Sequence, residues 1–264
     1  MRSITNKLIA EKDGAVGRIT FNSPERRNAI SYEMWQGIPV ILDDFGVDGN
    51  IRVVVLSGAG GKAFSAGADV SQFESKRSSR DATDEYNAAV LQVTGRLRQF
   101  DKPTIACIEG YCLGGGLGVA LACDLRIAGD DARFAIPAAR LGLGYRYTSI
   151  RTLVELVGPA FAREILLVAR QFNADEALAM GLVNRVLPRS QLTDYVQDYA
   201  RRIAENAPLT LHAVKKIVDQ TLRDPDARDL EMCDELVDHC FASEDYKEGR
   251  RAFMEKRKPK FTGH

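Results

Sequence analysis

Three features of this 264-residue chain predict an α/β fold. Residues 51–56 (IRVVVL) form a run of β-branched and aliphatic side chains, the composition of a strand covered on both faces. Strands of this kind are followed by loops rich in glycine and alanine, at 58–69 and again at 110–116. The last quarter of the chain reads instead as a series of charged, amphipathic helices.

From the N-terminus, residues 7–22 predict two short strands around a turn at Asp13-Gly14, a dipeptide suited to tight hairpins. Residues 28–45 place Ile30, Met34, Ile38, Ile41, Leu42 and Phe45 at helical spacing. Gly37 and Pro39 are expected to kink that helix or delay its start. After the strand at 51–56, the segment 71–84 (including KRSSRD) is polar and is expected to be exposed and mobile. A helix to about Phe100 and a strand at 104–109 follow. The loop 110–116 then leads into a small-residue helix at 117–123 and a strand at 125–128. The β-loop-α rhythm continues with 132–136, helices over about 149–170, and a last strand near 182–186. The remaining helices are predicted at 192–206, 209–222, 230–241 and 246–256. Residues 1–200 thus read as the βα core and 201–264 as a helical appendage that packs on itself or on a neighbouring subunit.

Composition narrows the function. With 36 basic and 36 acidic residues and an isoelectric point near 6.8, no global charge draws the chain to nucleic acid or an anionic membrane. No stretch approaches the ~20 apolar residues that span a bilayer, and the first residues lack the apolar run of a signal peptide. Five cysteines (107, 112, 123, 233 and 240) include no CxxC pair and suggest no disulfide framework. A cytoplasmic location is the expectation.

Several chemistries lack their residues. His212, His239 and His264 are the only histidines, all in the helical C-terminal part, and no GxSxG elbow is present, which disfavours Ser-His-Asp and Cys-His sites. No histidine or cysteine set has the spacing of a zinc site, so no metal is expected. Gly58-Ala59-Gly60-Gly61-Lys62-Ala63 matches G-x-G-x-x-A, a weak dinucleotide fingerprint, but the next residues read as loop rather than helix. It is not a Walker A motif either, because Ala63 stands where a magnesium-binding Ser or Thr belongs.

Two segments carry positive chemistry. Residues 62–69 (KAFSAGAD) follow the strand at 51–56; residues 109–116 (EGYCLGGG) follow the strand at 104–108 and open a helix. Small residues let a ligand approach the backbone, and a helix N-terminus offers unpaired N–H groups. Two such loops aimed at one place would give two backbone donors to a developing oxyanion. Taken singly, each is equally well read as a tight strand–helix turn.

In this order, with 22–30 (NSPERRNAI), 123–125 (CDL), 174–186 (ADEALAMGLVNRV) and the tail 243–261, the two loops closely resemble the crotonase (enoyl-CoA hydratase/isomerase) superfamily over nearly the whole chain. The resemblance implies a spiral of ββα turns with C-terminal helices that build a homotrimer or a dimer of trimers. It implies an acyl-CoA substrate, with coenzyme A as part of the substrate and no separate cofactor. Carried over by position, it makes the N–H groups of Ala68 and Gly115 the oxyanion hole. It puts Ala66 at the adenine, Lys62 and Arg26 at the phosphates, and Phe253 and Lys256 of a neighbouring subunit over the nucleotide. Solvated surface charge is the plainer reading of Arg26, Lys62 and Lys256.

The sequence departs from a hydratase at two points. The family's two catalytic glutamates would fall at Gly118 and Ala138, where neither residue can move a proton. An oxyanion hole without those carboxylates suits decarboxylation of a malonyl-type acyl-CoA, which forms the enolate by losing carbon dioxide. The segment 140–145 (RLGLGY) resembles the family's methylmalonyl-CoA decarboxylase and implies Tyr145 as the group that orients the leaving carboxylate. Arg140 and Arg146 stand nearby, Tyr147 is a rival for the role, and a pocket-lining Tyr145 is the plainer reading. The alternatives are a hydratase or isomerase with acid–base groups from elsewhere (Glu74, Asp81 or Glu85), and a CoA-binding homologue without activity.

Overall fold

The computed structural model describes residues 5–72 and 79–264. Strands β1 (Leu8–Asp13) and β2 (Val16–Phe21) form the expected antiparallel hairpin. Gly14 supplies its left-handed turn residue at φ 58°. Helix α1 (Tyr32–Val47) runs unbroken through Pro39, against the expected kink or late start. Trp35, Ile38, Ile41 and Leu42, on either side of the proline, are all buried. At roughly 1.5–3 kcal/mol for each large side chain buried, that packing outweighs a proline cost of ~3 kcal/mol.

Two sheets organise the rest. The large one has the order β1-β2-β3-β5-β7-β10 and the small one β4-β6-β8-β9. Three successive turns of chain each send a strand to the large sheet and then one to the small sheet. These pairs are β3 (Val53–Gly58) with β4 (Ala63–Ser65), β5 (Thr104–Ile108) with β6 (Tyr111–Leu113), and β7 (Leu125–Gly129) with β8 (Arg133–Ala135). From β2 to β10 (Arg185–Leu187) the large sheet is parallel. The two-residue β9 (Phe172–Asn173) closes the small one antiparallel. Strands β4 and β6 fall inside segments that read as loops, since three residues are too few to show a period of two.

The central strands are covered on both faces, as 51–56 predicts. Val54, Leu56, Ala106 and Ile108 enter the main core with Trp35, Phe45 and Phe64. Val53, Val55, Ile105 and Cys107 face the opposite way, meeting Leu192, Val196, Ala200 and Ala204 of helix α6 (Arg189–Ala204). The main core is closed by α1, α2 (Arg80–Gln99), the short α3 (Gly114–Ala122), α4 (Tyr147–Val168) and α5 (Ala174–Ala179). Gly158, at φ 73°, interrupts α4.

The C-terminal helices are α7 (Pro208–Thr221), α8 (Leu230–Ala242) and α9 (Glu244–Met254). Helix α8 buries none of its residues, and Leu230 and Phe241 are exposed. The final residues fold back on α9: Asp245 accepts from the amides of Thr262 and Gly263, and Glu248 pairs with Arg251 and Arg257. The architecture is the α/β crotonase-type spiral with a C-terminal helical region. No helix among the described residues is long and apolar enough to cross a membrane.

Candidate functional site

The first donor candidate lies just past β4. Asn28, in the left-handed region at φ 55° and fully buried, clamps this segment. Its carboxamide oxygen accepts from the Ser23 amide at 2.9 Å, and its nitrogen donates to the Ala59 and Ala63 carbonyls at 2.9 and 2.7 Å. Beyond β4, the Ile30 amide donates to the Gly67 carbonyl at 2.7 Å, and the Asp69 amide donates to the Ile30 carbonyl at 3.0 Å. Both bonds of this parallel bridge go to the residues flanking Ala68. The N–H of Ala68 therefore points the other way, away from Ile30.

The second candidate opens α3. Gly115 is the second residue of that helix, where an N–H has no acceptor within the helix. The two segments are in contact. A Cβ built on Gly115 would lie 3.4 Å from the Ala68 nitrogen, and one built on Gly67 would lie 3.4 Å from the Gly115 nitrogen. Glycine is required on both sides of this approach. Gly67 has φ +103° and its Cβ would come within 3.0 Å of the Leu113 carbonyl; a Cβ on Gly116 would strike Ser65 at 2.6–2.7 Å. The Ser65 hydroxyl accepts from the Gly67 amide at 3.1 Å, and the Trp35 ring would lie 3.3 Å from a Gly115 Cβ. Ser65, Trp35 and Asn28 thus fix the amide geometry, and sequence reading missed all three. Asn28, within the NSPERRNAI stretch, and Ser65, within KAFSAGAD, lie in segments that carried a signal.

Electrostatics add a buried acid beside the first amide. Asp69 is 7% exposed and pairs with Arg26 at 3.0 Å. Burial pushes its carboxyl up, but the Ser71 hydroxyl, the Ser71 amide and Arg26 outweigh that and hold it below the ordinary value. Arg26 also donates to the Ser71 hydroxyl at 2.8 Å, so its guanidinium braces this loop.

Next to the amides, space replaces side chains. A Cβ on Gly118 would meet no described atom within 4 Å, whereas Ala138 is buried against the core. The two positions belong to adjoining segments, since a Cβ on Gly114 would touch the Pro137 ring at 4.0 Å. Tyr145 is half-buried and packs against the main core, and burial pushes its phenol up. None of the hydrogen bonds among the described residues engages its hydroxyl. Tyr147 is 75% exposed. Arg146 reaches Asp84 at 3.6 Å, and Arg140 is exposed. Of the acids on the segment after the first loop, Glu74 lies outside the described residues. Asp81 is exposed in the first turn of α2, and Glu85 accepts from the Tyr32 hydroxyl at 2.6 Å.

The remaining candidates lie on three segments: 26–27, 62–66 and the C-terminal end of the chain. Lys62 is exposed, and the Ala66 amide donates to the Arg27 carbonyl at 2.9 Å. Phe253 is 82% exposed, and Lys256, two residues past α9, lies in the left-handed region at φ 54°. Burial pushes the thiols of Cys107 and Cys123 up to about 12, which leaves them poor nucleophiles at neutral pH. Two clefts of about 490 and 550 Å³ open around α9 and beside the ends of α1 and α7. Neither is lined by Ala68, Gly115 or Tyr145, and the amide geometry locates the site instead.

Comparison with known proteins gives a consistent result. The family model described as enoyl-CoA hydratase/isomerase matches residues 11–264. A short-chain-enoyl-CoA hydratase of Clostridium acetobutylicum is 34% identical over 253 residues, covering 96% of each chain. Among solved structures, an enoyl-CoA hydratase/carnithine racemase from Magnetospirillum magneticum superposes with a TM-score of 0.92 at 35% identity, over 98% of this chain and 97% of that one. An enoyl-CoA hydratase from Bacillus anthracis gives 0.92 at 29% identity, over 98% and 100%.

Proposed function

The chain belongs to the enoyl-CoA hydratase/isomerase family, as an enzyme of acyl-CoA thioesters, and from that premise we propose that the amides of Ala68 and Gly115 together hold the thioester oxygen. The observation that carries this is the contact between the two segments, with the Ala68 N–H turned away from its own bridge partner and the Gly115 N–H free of the helix. Two donors fixed before the substrate arrives favour the enolate over the neutral thioester, since charge grows on that oxygen only as the reaction proceeds.

The reaction this supports best is hydration or double-bond isomerisation of an enoyl-CoA, the activity named for the relatives above. Gly118 and Ala138 supply no proton, so acid–base work falls to other groups. Asp81, Glu85 with its Tyr32 partner, and Tyr145 are the described candidates. Incubation with crotonyl-CoA, followed by mass spectrometry of the product, tests this reading; a mass gain of one water is the expected result.

The absence, among the described residues, of a neighbour at Gly118 and of a partner for the Tyr145 hydroxyl favours a second reading, decarboxylation of a malonyl-type acyl-CoA. Here the bond from C2 to the carboxylate breaks, carbon dioxide leaves, the electron pair enters the enolate, and solvent returns a proton to C2. Loss of carbon dioxide from methylmalonyl-CoA, with crotonyl-CoA untouched, would select this reading.

Arg26, Lys62 and the Ala66 backbone are assigned to the coenzyme A portion, with Phe253 and Lys256 of a neighbouring subunit above it. The bare apolar surface of α8 and the exposure of Phe253 and Met254 support a trimer or a dimer of trimers. Light scattering on the purified protein distinguishes these from a monomer.

A further inference from the structure

We infer that Gly118 sets acyl selectivity, and that the site takes thioesters carrying a second substituent on C2; the inference rests on the reading that Ala68 and Gly115 hold the thioester oxygen. Four glycines fall in five positions at the start of α3, and three have a local reason. Gly114 has φ +48°, a Cβ on Gly115 would press on Trp35, and a Cβ on Gly116 would strike Ser65. Gly118 has no positive φ, and no described atom lies within 4 Å of where its Cβ would stand. Neither backbone conformation nor packing demands glycine there, and alanine is the better helix former. What the missing side chain leaves is the room itself.

Gly118 is half-buried, on the helix that opens at the second amide. It follows Gly115 by three residues, which places it one helical turn along the same side, on the order of 5–6 Å away. A thioester oxygen held about 3 Å from the Gly115 nitrogen is two bonds from C2. The acyl chain leaves C2 in one direction; a second group on C2 must find separate space. A side chain at residue 118 would take that space. Ala138, small and buried on the segment that begins against Gly114 at Pro137, keeps the adjoining wall short.

Isobutyryl-CoA and butyryl-CoA test this, being isomers with and without the C2 branch. Both are saturated and carry no carboxylate to lose, so neither hydration nor decarboxylation consumes them. Calorimetric affinities would be measured on the full-length wild type, Gly118→Ala and Gly118→Leu. The ratio of branched to unbranched affinity is expected to fall in steps, several-fold with Ala and about 10-fold or more with Leu, the scale of one or two methyl groups competing for a pocket. A ratio that stays constant in both variants, whether affinities hold or fall together, overturns the role of Gly118 alone. Failure of wild type to bind either ester more tightly than free coenzyme A overturns the acyl site and this inference with it. Thermal melts of both variants exclude unfolding, which the Gly→Ala change in a helix does not favour.

Discussion

The amide pair and the surface beside it are built in opposite ways. Around Ala68 and Gly115 the geometry is over-determined: Asn28 makes three hydrogen bonds, two of them buried, Gly67 and Gly116 admit no Cβ without strain, and Trp35 packs beneath. A few ångströms along the same helix, Gly118 faces no described atom, and Tyr145 offers a hydroxyl that no described residue engages. The contrast separates two tasks. Stabilising an enolate needs donors that do not reorganise, whereas the identity of the acyl group and the route of the proton can be set by what stands at the rim. On the proposed reading, the first task is fixed in backbone, and the second rests on few side chains.

Breaking the rigid half has the largest expected effect. Gly67→Val puts branched carbon against the Leu113 carbonyl and the Gly115 nitrogen, in a conformation valine avoids. Turnover of whichever acyl-CoA proves to be the substrate is expected to fall by roughly 10²–10³-fold, the scale of losing one oxyanion donor. Affinity for free coenzyme A should change much less, and steady-state kinetics with calorimetry would show the difference.

Asn28→Ala attacks the same region through the fold. It strands the Ser23 amide and two carbonyls, at a cost of about 2–4 kcal/mol in urea unfolding. Alanine at φ 55° adds strain.

The rim should respond differently. Tyr145→Phe removes a hydroxyl that engages none of the described residues, so the melting temperature should stay within a degree or two while turnover drops by roughly 10-fold or more. Unchanged turnover would assign Tyr145 to lining the pocket.

The smallest effect tests the brace beside the first amide. Asp69 is held below the ordinary carboxylate value despite its burial, by Ser71 and Arg26. A depressed folded value means its stabilisation is complete above the unfolded value near pH 4 and disappears as pH falls through the folded one. More than half of the Arg26 side chain is exposed, so the gain is under about 1 kcal/mol. The stability difference between wild type and Asp69→Asn should accordingly be present at pH 6 and shrink below pH 4 in denaturant titrations.

Much of this was legible before any coordinates. Strands with runs such as VVVL declare themselves because both faces are covered, and the helices of the last quarter carry a clear period. The amphipathic α6 finds the sheet, while α8, equally regular, buries nothing in the monomer. Residue pattern marks an apolar stripe without saying what covers it. The three-residue strands β4 and β6 were invisible because their pairing is made by partners far along the chain. Pro39 misled because local preference says nothing of the buried side chains around it. Within the site, the loops that carry Ala68 and Gly115 stood out by composition. The residues that hold them in place did not, since Ser65, Trp35 and the Arg26–Asp69 pair act through contacts that only the fold creates.

The most direct test is a crystal structure of the protein with a slowly reacting acyl-CoA. The thioester oxygen is expected to accept from both nitrogens, of residues 68 and 115, at about 2.7–3.1 Å. An oxygen bonded to only one of them, or lying elsewhere on the chain, would contradict the account.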